Sequence, residues 1–226
     1  MKPRIKLAEA KTPDGGRLAL FEHDGSFGIF LDGKELMHSQ ASTSEEALGR
    51  IGVAGLAPDQ TGNVLIGGLG LGFTLRAALR DSGPRVAIDI VELLPAVIDW
   101  NRTHLAGLHN ACLDDARVRV INQDVSRWID SAPACSYDAI LLDVDNGPVA
   151  MVDQNNAALY SESGIARLRT LLRPGGRLVV WSAGRDQPFE KRLRHQRLPF
   201  ETVTAKVHRN ARRDAIVLYV IEPDRR

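Results

Sequence analysis

The sequence has little of what marks several specialised protein classes. It contains two cysteines in 226 residues, Cys112 and Cys135, which are too few for a disulfide scaffold and lack the spacing of a zinc site. The formal net charge is only +1, which argues against a dedicated nucleic-acid-binding protein. No apolar run approaches the roughly 20 residues of a membrane-spanning helix, and the first residues have no signal-peptide core. We therefore expect a soluble, cytoplasmic protein with neither a membrane nor a nucleic acid as partner.

The residues that are present suit a globular protein. Hydrophobic residues make up 44% of the chain and charged residues 25%, which is typical of one folded domain with a small appendage. The sequence pattern changes near residue 60. We expect residues 1–58 to form a β-meander followed by a helix, and residues 59–226 to form an α/β domain.

The N-terminal part consists of short alternating segments separated by Asp-Gly turns, a pattern that predicts hairpins. The expected strands are 17–22, 27–31 and 35–38. Ser42 or Ser44 then offers an N-cap for a helix, and Glu45 and Glu46 suit its positive end.

After residue 60, strands alternate with helices, which predicts a parallel sheet covered on both faces. The expected strands are 63–66, 86–91, 118–121, 137–142, 177–182, 202–207 and 215–221. A short polar link joins the last two strands, so we expect them to pair antiparallel. The predicted architecture is a doubly wound, seven-stranded α/β sheet in the order 3-2-1-4-5-7-6.

A glycine-rich loop follows the first strand of this sheet and opens a helix. Its glycines are Gly67, Gly68, Gly70 and Gly72, and glycines let a backbone turn sharply and approach a ligand closely. The spacing is tighter than that of a dinucleotide-binding loop, so we expect it to hold a nucleoside without a pyrophosphate. The alternative is a purely structural turn.

Two acids follow the next two strands. Glu92 ends the second strand about 20 residues after the loop, where a carboxylate accepts hydrogen bonds from ribose hydroxyls; the alternative is a solvated acid at a strand end. Asp124 follows the third strand, where it can accept from an adenine amino group. It can also cap the next helix, and these two roles are compatible.

The fourth strand ends at Asp143, and Asp145 follows two residues later. Ligands of open α/β sheets bind beyond the carboxyl ends of the strands, next to the first strand. Asp143 is therefore expected to face the reacting end of the ligand, where a carboxylate can orient an amine and take its proton. The alternatives are a magnesium site that also uses Asp145 and Asn146, and a structural turn.

These residues together resemble the spermidine synthases, or polyamine aminopropyltransferases, which have the Rossmann-like fold of class I S-adenosylmethionine-dependent methyltransferases. The resemblance covers nearly the whole chain. The segments that carry it are Leu31-Asp32-Gly33, Ile66-Gly67-Gly68, Glu92, Asp124 and Tyr137-Asp138-Ala139-Ile140-Leu141-Leu142-Asp143. It implies that Gly67, Gly68, Gly70, Gly72, Glu92 and Asp124 bind the adenosyl donor, and that Asp143 and Asp145 are catalytic.

The chain departs from the family pattern at three places. The family loop has an aspartate that contacts the aminopropyl amine of the donor, and Gly70 stands at that position. The family's Tyr-[His/Gln]-Glu motif of the amine site corresponds to Ser44-Glu45-Glu46, so that Glu46 retains the acid. The family's Asp-Ser-Ser-Asp-Pro segment becomes Asp143-Val144-Asp145-Asn146-Gly147.

The resemblance implies transfer of an aminopropyl group from an adenosyl-sulfonium donor to a small-molecule amine, without a metal. The donor would be decarboxylated S-adenosylmethionine or, because of Gly70, S-adenosylmethionine itself. Methyl transfer to a small molecule and a non-catalytic nucleoside-binding role remain alternatives. We also expect a homodimer formed through the N-terminal hairpins, because Phe27, Ile29 and Leu31 share one face of a sheet edge.

Overall fold

A computed structural model describes residues 3–144, 154–206 and 216–222, with the backbone alone for 154–156. The described chain forms two sheets and six α-helices. The strands are β1 Ile5–Lys11, β2 Arg17–His23, β3 Ser26–Leu31, β4 Lys34–His38, β5 Gly62–Gly67, β6 Val86–Glu92, β7 Val118–Asn122, β8 Tyr137–Leu142, β9 Leu172–Ser182, β10 Phe200–Ala205 and β11 Ile216–Ile221. The helices are α1 Thr43–Val53, α2 Phe73–Asp81, α3 Pro95–Arg102, α4 Val125–Ser131, α5 Glu162–Leu171 and α6 Gln187–His195. No helix in these described ranges is long and apolar enough to cross a membrane.

The first four strands form an antiparallel sheet in chain order, β1-β2-β3-β4. Asp24 and Asp32 have positive φ angles of 51° and 48°, so the Asp-Gly pairs form the tight turns that the sequence predicts. Strand β1 was not among the strands expected from the sequence, which began at residue 17. A register shift between Lys6 and Ala8 breaks the alternation of this strand, and so its period-2 pattern is weak in the sequence.

The second sheet has seven strands in the order β10-β11-β9-β8-β5-β6-β7. Counted from β5 and read from the β7 edge, this is 3-2-1-4-5-7-6, the order expected from the sequence. β11 is antiparallel to both of its neighbours, whereas β5, β6, β7, β8 and β9 pair parallel. The carboxyl ends of β5 and β8 therefore lie side by side.

Two hydrophobic clusters cover the two faces of this sheet. In β8, Ala139 and Leu141 belong to one cluster and Ile140 and Leu142 to the other, as expected for a strand buried on both faces. The first cluster also contains Leu18, Leu20 and Ile29 of the N-terminal sheet. The N-terminal sheet thus packs on the same core as the larger sheet.

This packing bears on the expected homodimer. Ile29 is 1% exposed, and Phe27 and Leu31 are partly buried against the core. The apolar face that suggested self-association is covered within the chain, because the N-terminal sheet folds back onto the α/β part. The homodimer stays a prediction, and it no longer has this face as support.

Helix α1 packs closely against α2. A Cβ atom at Gly49 would overlap the Thr74 carbonyl oxygen and would lie 2.8 Å from the Ala77 side chain. The missing side chain therefore lets the two helix backbones approach each other. The domain boundary after residue 58 stays a prediction.

Candidate active site

A cavity of about 180 Å³ lies at the carboxyl ends of β5, β6 and β8, between the large sheet and the N-terminal sheet. It is lined by Leu18, Ile29, Leu36, Met37, Glu45, Gly68, Leu69, Gly70, Leu71, Phe73, Val91, Glu92, Leu93, Leu94, Val97, Asp124, Val125, Asp143, Val144 and Trp181. The cavity brings together five of the eight residues that the sequence analysis singled out. Asp145 lies outside the described residues.

The glycine loop forms one wall. Gly68 has a φ of 93°, and a Cβ atom there would overlap the Asp143 carbonyl oxygen. Gly68 and Gly70 line the cavity, whereas Gly67 lies within β5 and Gly72, with a φ of 82°, is the N-cap of α2. Gly67 and Gly72 thus shape the loop and do not line the space that it encloses.

Asn101 of α3, which the sequence analysis missed, holds this loop. Its side chain is fully buried and its Nδ2 donates to the Gly70 carbonyl oxygen at 2.9 Å and to the Val97 carbonyl oxygen at 2.8 Å. No sequence signal marks it, because the contact joins residues 31 positions apart.

Glu92 lies at the end of β6 and is 9% exposed. Its Oε2 accepts from the Leu69 backbone N–H at 2.9 Å, and its Oε1 accepts from the Leu94 N–H at 2.8 Å. These bonds fix the carboxylate against the glycine loop. The same residue lines the cavity, and a carboxylate oxygen can accept more than one hydrogen bond.

Asp124 combines the two arrangements that the sequence left open. Its Oδ1 accepts from the Arg127 backbone N–H at 3.0 Å, which makes it the N-cap of α4. The same residue lines the cavity. The capping role is therefore observed, and the position is compatible with a contact to a bound base.

Asp143 follows β8 directly and its backbone N–H donates to the Gly67 carbonyl oxygen at 2.8 Å. The Thr74 hydroxyl, on α2, lies 2.7 Å from Oδ2 of Asp143 and 3.3 Å from the Glu45 carbonyl oxygen. Burial raises the pKa of Asp143 to about 6, and the bond to Thr74 opposes this rise. An acid with such a pKa can exchange a proton near neutral pH.

Glu45 is the site residue that sequence reasoning missed. Its partly buried side chain lines the cavity. Burial first, and the negative charge of Asp143 second, raise the pKa of Glu45 to about 7, while a 2.6 Å hydrogen bond from the Ser44 hydroxyl opposes the rise. Glu46, the acid that the family motif suggested, instead pairs with Arg76 and is not among the cavity-lining residues.

The N-terminal sheet covers the cavity with apolar side chains. Leu18, Ile29, Leu36 and Met37 form this cover. Gly70 lies under Met37, since a Cβ atom at Gly70 would be 3.3 Å from the Met37 sulfur. At the position of the family's loop aspartate, the wall of this cavity therefore consists of the Gly70 backbone next to the Met37 thioether, without a carboxylate.

All titratable side chains among the described lining residues are acidic. They are Glu45, Glu92, Asp124 and Asp143, with no lysine, arginine or histidine. Within the described ranges, no group of three or more histidine, cysteine, aspartate or glutamate side chains is placed to hold a metal ion. The cavity is thus a negatively charged, largely apolar space, which attracts cations.

The comparison with family models matches residues 45–199 to the spermine/spermidine synthase domain. The chain belongs to this family. The matched residues include most of α1, the glycine loop and the strand that precedes Asp143, so the resemblance recognised in the sequence is confirmed.

Curated relatives are polyamine aminopropyltransferases. The chain is 32% identical to polyamine aminopropyltransferase 2 of Pseudomonas aeruginosa over 175 residues, which are 73% of this chain and 48% of that protein. It is 38% identical to polyamine aminopropyltransferase 1 of Streptomyces coelicolor over 122 residues, covering 53% of this chain and 22% of that protein. The chain thus spans half or less of the length of these relatives.

Solved structures of the family share the fold. A spermidine synthase from Thermotoga maritima superposes with a TM-score of 0.71 at 17% identity, covering 97% of this chain and 73% of that one. A spermidine synthase in complex with the transition-state analogue AdoDATO gives a TM-score of 0.75 at 18% identity, covering 97% and 74%. At these identities, the likeness concerns the fold.

Proposed function

We propose that the protein is an aminopropyltransferase that uses decarboxylated S-adenosylmethionine as donor and a small-molecule amine as acceptor. The single observation that carries this proposal is the charge of the cavity, in which Glu45, Glu92, Asp124 and Asp143 are the only titratable groups among the described lining residues. Decarboxylated S-adenosylmethionine has a sulfonium and an ammonium group and no carboxylate. Its charge is therefore complementary to this cavity.

The proposed roles follow from position. The glycine loop at Gly68 and Gly70 packs against the nucleoside, and Glu92, which lines the cavity, accepts from the ribose hydroxyls. Asp124 faces the adenine. Asp143 stands where the loop meets β8 and holds the attacking amine.

The proposed reaction is a displacement at carbon. The uncharged acceptor nitrogen attacks the carbon next to the sulfonium; an N–C bond forms, the C–S bond breaks, and its electron pair returns to sulfur to release methylthioadenosine. The new ammonium loses one proton, for which Asp143 is the acceptor. Proximity and orientation in the enclosed cavity supply most of the acceleration.

Methyl transfer is the second candidate, because Gly70 replaces the family aspartate whose carboxylate contacts the donor amine. The charge of the cavity weighs against it, because intact S-adenosylmethionine would bring its own carboxylate into a space that contains four acids. Asp145, which a magnesium-assisted version would use, remains part of this alternative as well as of the proposed catalytic set.

The test is an assay of the purified protein with decarboxylated S-adenosylmethionine and 1,4-diaminobutane, with methylthioadenosine measured by chromatography. A parallel reaction contains intact S-adenosylmethionine and is analysed for S-adenosylhomocysteine. We expect methylthioadenosine, an aminopropylated amine, and activity that a chelator leaves unchanged. S-adenosylhomocysteine formation that requires magnesium would establish the methyltransferase alternative. Donor binding without turnover of any amine in an acceptor panel would indicate a non-catalytic relative.

A further inference from the structure

Glu45 and Asp143 form an acid pair that the fold assembles from distant elements. Glu45 comes from the first turn of α1 and Asp143 from the end of β8. The Thr74 hydroxyl of α2 lies 2.7 Å from Oδ2 of Asp143 and 3.3 Å from the backbone carbonyl oxygen of Glu45. Both side chains line the cavity. The close packing of α1 on α2 at Gly49 maintains this arrangement.

The pair has no basic partner among the described residues. The groups that face Glu45 are Asp143 from β8, the Ser44 hydroxyl and the neighbouring carboxylate of Glu46. The nearby cation of α2, Arg76, is engaged by Glu46 and by the Leu108 carbonyl oxygen. Two acids in a partly buried space without a counter-charge are costly when both are ionised.

A positively charged ligand would supply the missing counter-charge. Gly70 and Met37 line the cavity without a charged group, whereas Glu45 of α1 and Asp143 at the end of β8 offer two carboxylates to a cation. Resting on the aminopropyl-transfer function, we propose that Glu45 is a specificity-determining residue that binds a primary ammonium group of the ligand together with Asp143. That ammonium belongs to the aminopropyl group of the donor or to the acceptor amine.

Binding of an ammonium group then displaces the proton that the pair retains near neutral pH. The raised pKa values of Glu45 and Asp143 agree with this exchange. Glu92 and Asp124 add further negative charge to the same cavity. Affinity for an amine-bearing ligand should accordingly rise from pH 5.5 to pH 8, whereas affinity for an uncharged nucleoside should not.

The experiment compares decarboxylated S-adenosylmethionine with methylthioadenosine, which lacks the ammonium and sulfonium charges, by calorimetry on the wild type, Glu45→Gln and the matched control Glu46→Gln. We expect the wild type to prefer the charged nucleoside, and Glu45→Gln to reduce this preference about 10-fold or more with little change for methylthioadenosine. The preference of Glu45→Gln should also vary less with pH. Glu46→Gln should keep the wild-type preference.

A second arm locates the ammonium. The affinity for 1,4-diaminobutane is measured with methylthioadenosine already bound. A loss of about 10-fold in Glu45→Gln for this ligand, with the donor preference unchanged, supports the proposal and assigns the contact to the acceptor. A Glu45→Gln protein that keeps the wild-type preference and the wild-type amine affinity overturns the proposal. If that protein also transfers aminopropyl groups, the proposed function stands and only the role of Glu45 fails. A wild type that binds neither nucleoside overturns both.

Discussion

Glu45 and Glu190 are two glutamates withdrawn from solvent in opposite surroundings. Glu190, on α6, is 1% exposed and accepts from Arg185 at 2.6 Å and from Arg194 at 2.7 Å. These bonds, first that from Arg185, lower the pKa of Glu190. Glu45 faces Asp143 instead of an arginine, and its pKa is raised.

The opposite pKa shifts indicate different roles, in that Glu190 stabilises the fold whereas Glu45 contributes to the candidate site. A lowered pKa means that the folded state favours the ionised form, so Glu190 stabilises the fold above its unfolded pKa and loses this effect as the pH falls. A raised pKa means the reverse for Glu45, whose ionisation opposes folding as the pH rises from about 4.5 to 7. A ligand cation, not the fold, would compensate that cost. The same charge therefore stabilises the protein in one place and prepares it for binding in the other.

Among the variants of the candidate site, Asp143→Asn should have the largest effect on turnover. It keeps the shape of the side chain and removes the charge, so we expect turnover to fall by roughly 10²–10⁴, the usual range for a group that handles a proton. Methylthioadenosine affinity should change little. Steady-state kinetics and calorimetry measure the two effects. The control is Asp130→Asn, an exposed position on α4, which should retain wild-type turnover; an active Asp143→Asn protein would remove this residue from the mechanism.

Glu92→Ala should come next. It removes the acceptor for the Leu69 and Leu94 N–H groups and, by our proposal, for the ribose hydroxyls. We expect methylthioadenosine affinity to fall by about 1.5–3 kcal/mol, the scale of hydrogen bonds to a charged group. Calorimetry on a protein whose circular dichroism matches the wild type tests this. Unchanged affinity would mean that the ribose binds elsewhere.

Glu190→Gln tests the structural acid. The variant leaves Arg185 and Arg194 without their carboxylate, and we expect a loss of about 1–2 kcal/mol in the free energy of unfolding, limited because both arginines are largely exposed. Urea denaturation at pH 7 measures it. Turnover should be unchanged, since Glu190 is not among the described cavity-lining residues. A variant with the same free energy of unfolding as the wild type would show that Glu190 does not stabilise the fold, and would contradict the difference between Glu190 and Glu45.

Glu45→Gln should change stability less than Glu190→Gln does, and it should stabilise the protein rather than destabilise it. At pH 8 the wild type contains two ionised acids close together, and the variant contains one, so the variant should melt higher by about 2–4 °C, the shift for roughly 1 kcal/mol in a chain of this size. Near pH 5, where Glu45 binds a proton, the difference should shrink. Thermal melts at both pH values check the sign, and a variant that melts lower at pH 8 would contradict the raised pKa.

Much of the site could be predicted because strand ends in a parallel sheet converge. Once β5 and β8 are recognised as strands, their sequence neighbours Gly68 and Asp143 must meet at one edge, and they do so through the bond between the Asp143 N–H and the Gly67 carbonyl oxygen. The capping role of Asp124 could also be predicted, because an N-cap is recognised from the local sequence alone. Glu92 ends β6 at the same edge.

The choice between Glu45 and Glu46 could not be read in this way. Adjacent residues of a helix point about 100° apart, so one of them enters the cavity and the other meets Arg76, and the rotation of α1 about its axis decides which. That rotation is set by the packing of α1 against α2 at Gly49. A motif aligned by residue type favoured Glu46, whereas the structure places Glu45 among the residues that line the cavity.

By itself, the sequence determined the alternation of strands and helices, the tight Asp-Gly turns, the glycine loop and the acids at the strand ends. All of these follow from local periodicity, backbone preference and chain order. Only the tertiary structure decided that the N-terminal sheet covers the cavity with Ile29 and Met37, that Asn101 holds Gly70, and that Glu45 lines the same cavity as Asp143. These contacts join segments far apart in the chain, and their partners are chosen by how whole helices and sheets pack together.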